Sequence, residues 1–117
     1  MRDSNFPKII VIVGPTASGK SALAIHLARL YHGEIISADS RQVYKGMNIG
    51  TGKVTKREQQ QAPHHLLDIA SPRTTFTADH FKRHGQRALK NIVRKGSLPV
   101  IVGGTGFYID VLLGLSS

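Results

Sequence analysis

Residues 14–21 read Gly14, Pro15, Thr16, Ala17, Ser18, Gly19, Lys20, Ser21, which completes the pattern G-x-x-x-x-G-K-[ST]. The chemistry of that pattern is anion binding. Its glycines let backbone N–H groups turn inward around a phosphate, and a helix starting there adds partial positive charge. Lys20 then neutralises the outer phosphate, and the Ser21 hydroxyl is placed to ligate Mg²⁺. The pattern does not say what carries the phosphates. A kinase or nucleotide hydrolase is the generic expectation. Such enzymes usually end a later apolar strand in an acid that assists Mg²⁺, whereas the last apolar run here, "PVIVGGTG", ends in glycines and a threonine. Asp39, ending "EIISAD", and Asp68, in "HHLLDI", are the remaining candidates for such an acid. Asp39 has four readings: a Mg²⁺ helper, a base for a nucleophile, a binder of a sugar hydroxyl, or a loop cap.

These residues need elements to position them. "IIVIV" (9–13) is a β-branched run of the kind buried in a parallel sheet. Ala22, Leu23, Leu27, Ala28 and Leu30 then recur at helical spacing, predicting a helix that ends near Gly33. "EIISA" (34–38) reads as a second strand, followed by a polar loop from Asp39 to Val54. "TKREQQQ" (55–61) predicts a short helix ended by Pro63, and "HHLLDI" (64–69) a third strand. From Thr77 to Lys95 the clearest helix is predicted, with Phe81, Ala88, Leu89, Ile92 and Val93 on its apolar face. Thr77 would cap it and Phe76 would staple onto Phe81. The opposite face carries Lys82, Arg83, Arg87, Lys90 and Arg94, and reads first as a solvated face, second as one that meets RNA. "LPVIVGG" (98–104) is the fourth strand and "FYIDVLLGL" (107–115) begins a further helix.

Strands alternating with helices predict a parallel α/β sheet with flanking helices, a three-layer P-loop architecture in one domain over residues 1–117. In such sheets ligands collect at the carboxyl ends of the strands. The phosphate loop, "ADSRQ" and "GGTGFY" all fall there, so a single site is implied.

Composition narrows the class. Hydrophobic residues make up 40% of the 117, an ordinary globular balance, and the absence of cysteine excludes a disulfide framework and a cysteine zinc site. No apolar run is long enough to cross a bilayer, so the expectation is a cytoplasmic protein with no membrane partner. The net charge of +9, from 16 basic and 7 acidic residues, favours polyanionic partners, nucleic acid foremost.

"GPTASGKS", "ISADSRQVYKGMNIGTGK", "PHHLLDI" and "PVIVGGTGFYI", in this order and spacing, resemble the tRNA dimethylallyltransferases. The resemblance runs from about residue 9 to 115. Family members run on for roughly as much again, so the chain looks like the N-terminal part of such an enzyme, its sheet incomplete on the C-terminal side. The resemblance implies that residues 14–21 cradle the diphosphate of dimethylallyl diphosphate rather than ATP. It further implies transfer of the dimethylallyl group to the N6 amine of the adenine beside the anticodon, on a tRNA anticodon stem-loop whose target base is flipped out. Asp39 matches the family's general base. Asp39, Ser40, Arg41 and Gln42 match its tRNA-contacting stretch, and Thr105 a further tRNA contact. Lys20 is counted with Asp39 as catalytic, Ser21 as the Mg²⁺ ligand, and the full-length enzyme as a monomer.

Within the same resemblance an adenylate (cytokinin-type) isopentenyltransferase is the alternative. A small P-loop nucleotide or metabolite kinase that binds ATP is the alternative of another class. Other residues read as structural: His64 and His65 lack a third metal ligand at useful spacing, Tyr108 sits at helix-core spacing, and Asp68 and Asp110 carry no chemistry. The resemblance also implies an unpaired sheet edge and an uncovered apolar flank from Val111 to Leu115, through which the 117-residue chain would self-associate. By itself it would bind diphosphate weakly and would not prenylate tRNA.

Overall fold

The structure, a computed structural model, describes residues 8–14, 19–39, 54–67, 75–104 and 106–114. In chain order the elements are β1 (Ile10–Val13), α1 (Lys20–Leu30), β2 (Gly33–Ser37), α2 (Lys56–Gln59), β3 (His64–His65), α3 (Ala78–Arg94), β4 (Leu98–Gly103) and α4 (Gly106–Leu113). The strands form one parallel sheet in the order β1-β4-β2-β3. β4 pairs Ile10–Val13 with Val100–Gly103 on one side and Gly33–Ser37 with Leu98–Val102 on the other.

Side chains alternate across a strand, and both faces of this sheet are covered. Ile35, Val100 and Val102 pack on one face with Ala24, Ile25 and Ala28 of α1. Ile36 and Ile101 pack on the other with Phe81, Ala88 and Ile92 of α3 and Ile109, Val111 and Leu112 of α4. The result is the expected three-layer α/β fold, and near-continuous apolar strands are what a doubly covered sheet requires.

The helices differ from the sequence reading in informative ways. α1 buries Ala24, Ile25 and Ala28, while Leu23 and Leu30 stand 48% and 56% exposed. Small residues on the contact face let the helix axis approach the sheet, and that outweighs the larger leucines. The helix ends at Leu30, and the left-handed residue after it is His32, with φ 55°. Gly33 opens β2 instead of ending α1, for a separate reason: a Cβ there would stand 2.6 Å from the Leu98 carbonyl oxygen.

α3 starts at the predicted Thr77 cap, whose hydroxyl accepts from His80 N–H, while His80 Nδ1 accepts from Thr77 N–H. Phe76 packs against the α3–α4 core, its ring facing His80 and His84. Gly85 is buried on this face, whereas Val93, expected there, is 38% exposed. Tyr108 sits edge-on to Phe81 at 5.0 Å between ring centres, in the expected core role. Asp110 is exposed.

The expected apolar flank is not at Val111 and Leu112, which α3 covers; Leu115 lies outside the described residues. Exposed apolar side chains include instead Val11 and Val13 on β1, which has β4 as its only neighbour among the described strands, and Phe107 on α4. β3 is two residues long, because Leu66 turns to φ 69° while remaining buried. Asp68 and Ile69 lie outside the described residues.

At the amino edge of the sheet the buried Glu34 receives Lys95 Nζ at 2.7 Å and His65 Nε2–H at 2.8 Å, tying β2 to the end of α3 and to β3. Burial pushes the Glu34 carboxyl up, but hydrogen bonds from Lys95 and His65 outweigh it and hold the group below its ordinary value. A depressed carboxylate stabilises the fold above its unfolded value of about 4.5, and that stability is lost as pH falls through the lower folded value. Thermal melts from pH 6 to pH 3 should therefore show a steeper loss in the wild type than in Glu34→Gln. Gly33→Ala should lower stability by about 1–3 kcal/mol in urea titrations, the cost of overpacking against a backbone atom that cannot move.

Candidate functional site

Three strand ends meet at the carboxyl edge. Gly14 N–H donates to Gly103 O at 3.1 Å, and Ala38 N–H donates to Val102 O at 2.7 Å. The chain leaving β1, the chain leaving β2 and the end of β4 are thereby held together. Gly19, at φ 80°, reverses the backbone into α1. A residue with a side chain would be strained at that angle.

Lys20 is the first residue of α1 and is 6% exposed. Its Nζ donates to Gly14 O at 2.8 Å, across the mouth of the loop, and approaches to within 3.9 Å of where a Cβ on Gly104 would stand. The Lys20 side chain thus stands at the point where the α1 N-terminus adds partial positive charge.

A cleft opens beside it on the α1 face of the sheet, lined by Lys20, Ser21, Ile35, Ser37, Asp39 and His64 among others. Ile35, Ser37 and Asp39 alternate along β2 and its extension, so all three address the same face. Ala24, Val54 and Val102 make the walls apolar. The geometry joins a cation, a hydroxyl and a carboxylate in one cleft, the set needed to hold a phosphate compound beside a proton acceptor.

Of the residues singled out in the sequence, Gly14, Gly19, Lys20, Ser21 and Asp39 are thus brought together. Pro15, Thr16, Ala17, Ser18, Ser40, Arg41, Gln42 and Thr105 lie outside the described residues.

The two histidines part company. His65 has the structural role expected of it, on Glu34. His64 lines the cleft, which sequence reasoning missed. Its ring Nδ1–H donates to Ala62 O at 2.8 Å, leaving Nε2 as an acceptor in the neutral ring. Burial pulls its pKa down against the opposing hydrogen bond to Ala62, favouring that neutral form. Its place follows from the parallel pairing that sets His64 opposite Ile35, which no local sequence signal reveals.

Among the described residues no three His, Cys, Asp or Glu side chains gather as a metal site. Ser21 and Asp39 do offer hard oxygen donors in one cleft. That set suits Mg²⁺, which completes its shell with water and phosphate oxygens. No helix among the described residues is long and apolar enough to cross a membrane.

The family model described as IPP transferase matches residues 42–117. A tRNA dimethylallyltransferase of Staphylococcus epidermidis is 51% identical over 113 residues, covering 97% of this chain and 34% of that protein. One from Staphylococcus aureus is 55% identical over 111 residues, covering 95% and 36%. Among solved structures, the full-length tRNA isopentenylpyrophosphate transferase of Bacillus halodurans superposes with a TM-score of 0.89 at 42% identity, covering 96% of this chain and 37% of that one. A eukaryotic dimethylallyltransferase acting on tRNA gives a TM-score of 0.86 at 38% identity, covering 92% and 27%. The chain therefore spans about a third of the length of the curated relatives it matches, less than the half that the sequence reading anticipated.

Replacing Lys20 removes a full charge from a desolvated position. Lys20→Met, which keeps most of the apolar stem, should weaken inorganic diphosphate binding by ten- to a hundredfold in calorimetric titration, the range for a lost hydrogen bond to a charged group. Unchanged affinity in the folded variant would remove Lys20 from the site.

Proposed function

Because the chain belongs to the IPP transferase family, we propose that its cleft is the donor site of a prenyl transfer to the N6 amine of an adenine in a tRNA anticodon stem-loop. The observation that carries this reading is the buried Lys20 in one cleft with Asp39, where the ends of β1, β2 and β4 converge. The relatives' names supply the substrate class, and the net charge of +9 suits an RNA acceptor.

The donor in this reading is dimethylallyl diphosphate. Its diphosphate lies in the loop from Gly14 to Ser21, with Lys20 turning from Gly14 O onto the phosphate oxygens. Negative charge grows on the diphosphate as the allylic C–O bond breaks, and Lys20 with the α1 N-terminus meets that charge where it develops. The N6 lone pair of adenine is delocalised into the ring, so the amine is a poor nucleophile. As its nitrogen bonds to the allylic carbon, Asp39 accepts the N6 proton, and the C–O electron pair leaves with diphosphate. Asp39 sits on the extension of β2, two strands from β1 and its phosphate loop, which separates the base from the leaving group. Ser40, Arg41, Gln42 and Thr105 are assigned to the RNA, which must present its target base unstacked. Mg²⁺, when bound at Ser21, would neutralise diphosphate charge. The low exposure of Lys20 and the apolar walls at Ala24, Val54 and Val102 keep bulk water from competing with the amine.

A chimera makes the reading testable, with this chain replacing the matching N-terminal third of the Staphylococcus epidermidis enzyme. Supplied with labelled dimethylallyl diphosphate, it should label an anticodon stem-loop and not AMP, and should not turn over ATP. Label on AMP instead would indicate an adenylate acceptor, and ATP turnover a kinase; either sinks the proposal. In the same chimera Asp39→Asn should lower kcat by about 10²–10⁴ with donor affinity nearly intact, the range for losing a general base. A collapse of donor affinity together with Mg²⁺ dependence would make Asp39 a metal ligand rather than the base.

A further inference from the structure

α3 carries Lys82, Arg83, Arg87, Lys90 and Arg94, with Lys95 just after it, and between Asp79 and Asp110 the chain has no acidic residue at all. Arg83, Arg87, Lys90 and Arg94 are spaced at four, three and four residues, on the solvent side of the helix. That spacing sets them in one row along the helix, about 16 Å from end to end at 1.5 Å per residue. Like charges three or four apart repel and destabilise a helix, and a solvated face ordinarily interleaves acids to offset this. Here Asp79 relieves Arg83 alone, through a 3.3 Å contact between exposed groups. Lys95 is engaged by Glu34. Arg87, Lys90 and Arg94 lie beyond the reach of Asp79 along the helix.

The placement of the row is as telling as its charge. The sequence joins the end of α3 to the start of β4, and Lys95 bridges to Glu34 at the amino edge of the sheet, while Phe81 near its start packs on Tyr108 of α4, which follows the carboxyl edge. The cationic row therefore runs from near the carboxyl edge, where the cleft opens, down the back of the sheet. It lies on the face opposite α1.

We propose that this row is an RNA-backbone surface, separate from the cleft, that takes the phosphates of one strand of a stem while the target base is presented at the carboxyl edge. The choice of RNA rests on the acceptor assigned above. The row itself rests on charge and geometry: successive cations advance about 4.5–6 Å along the helix, a spacing that a single-strand run of phosphates can follow. Contacts of this kind hold the nucleic acid in register and carry no base specificity.

The test uses the 117-residue chain and a fluorescent anticodon stem-loop, with no prenyl donor present. Anisotropy titrations over a range of salt concentrations compare wild type with Arg87→Gln/Lys90→Gln/Arg94→Gln. A control, Arg29→Gln/Lys56→Gln/Arg57→Gln, removes the same charge from exposed positions on α1 and α2. The α3 variant should bind ten- to a hundredfold more weakly at low salt. Its slope of log affinity against log salt should fall by about 2–3, close to one for each phosphate that the row no longer neutralises. The control should change the slope by less than one. Equal weakening in both variants would reduce the effect to net charge and overturn the proposal, as would unchanged binding by the α3 variant. Since no transfer is measured, the chimera could label AMP and fail the functional reading while this result stood, and the converse also holds.

Discussion

A lysine ammonium out of water is the constraint around which the site is arranged. Lys20 cannot reach solvent freely, and a buried charge is tolerated only where hydrogen-bond acceptors or an anion come to it. The Gly14 carbonyl supplies the first acceptor, and it is in place because Gly14 N–H is tied to the end of β4. β4 in turn is fixed by its two parallel neighbours and by apolar packing on both faces. The charge, the loop and the sheet are thus one mechanical unit. Removing β4 would remove the acceptor that holds the lysine, so the fold and the position of Lys20 share the same supports.

Much of the fold was legible because the signals were local. The β-branched runs at 10–13 and 98–103 both enter the parallel sheet, where β4 is buried on both faces from Pro99 on, while β1 leaves Val11 and Val13 exposed. Thr77 capped α3 as its sequence context indicated, and Thr55 with Glu58 capped α2 by the same reciprocal hydrogen bonds. The misreadings arose where tertiary contact decides. In α1 the apolar residues surround the helix, so periodicity could not choose a face, and proximity to the sheet chose the small ones. Gly33 looked like a helix stop because glycine tolerates left-handed angles. Its place is fixed by the Leu98 carbonyl, a distant partner in the chain that no local pattern reveals.

The site divides in the same way. That Lys20 and Asp39 share a cleft was legible because the loop motif opens a helix beside the sheet and strand ends in a parallel sheet converge. His64 was not, because its place in the cleft depends on β3 lying beside β2, a neighbourhood set by sheet order. Glu34 was also missed. An acid at a strand start reads as surface until the end of α3 and the side of β3 are known to close over it. The proposed prenyl chemistry rests on the family match, since a phosphate loop alone does not contain it.

The central claim is that the carboxyl edge of this sheet is a diphosphate site with Lys20 as its charge and Asp39 on its rim. Titrating the ¹⁵N-labelled chain with inorganic diphosphate and Mg²⁺ tests it most directly. The account predicts saturable amide shifts at Gly14, Gly19, Lys20, Ser21, Asp39 and Gly103, with the residues of α3 unmoved. Shifts confined to α3, or no saturation at the loop, would contradict it.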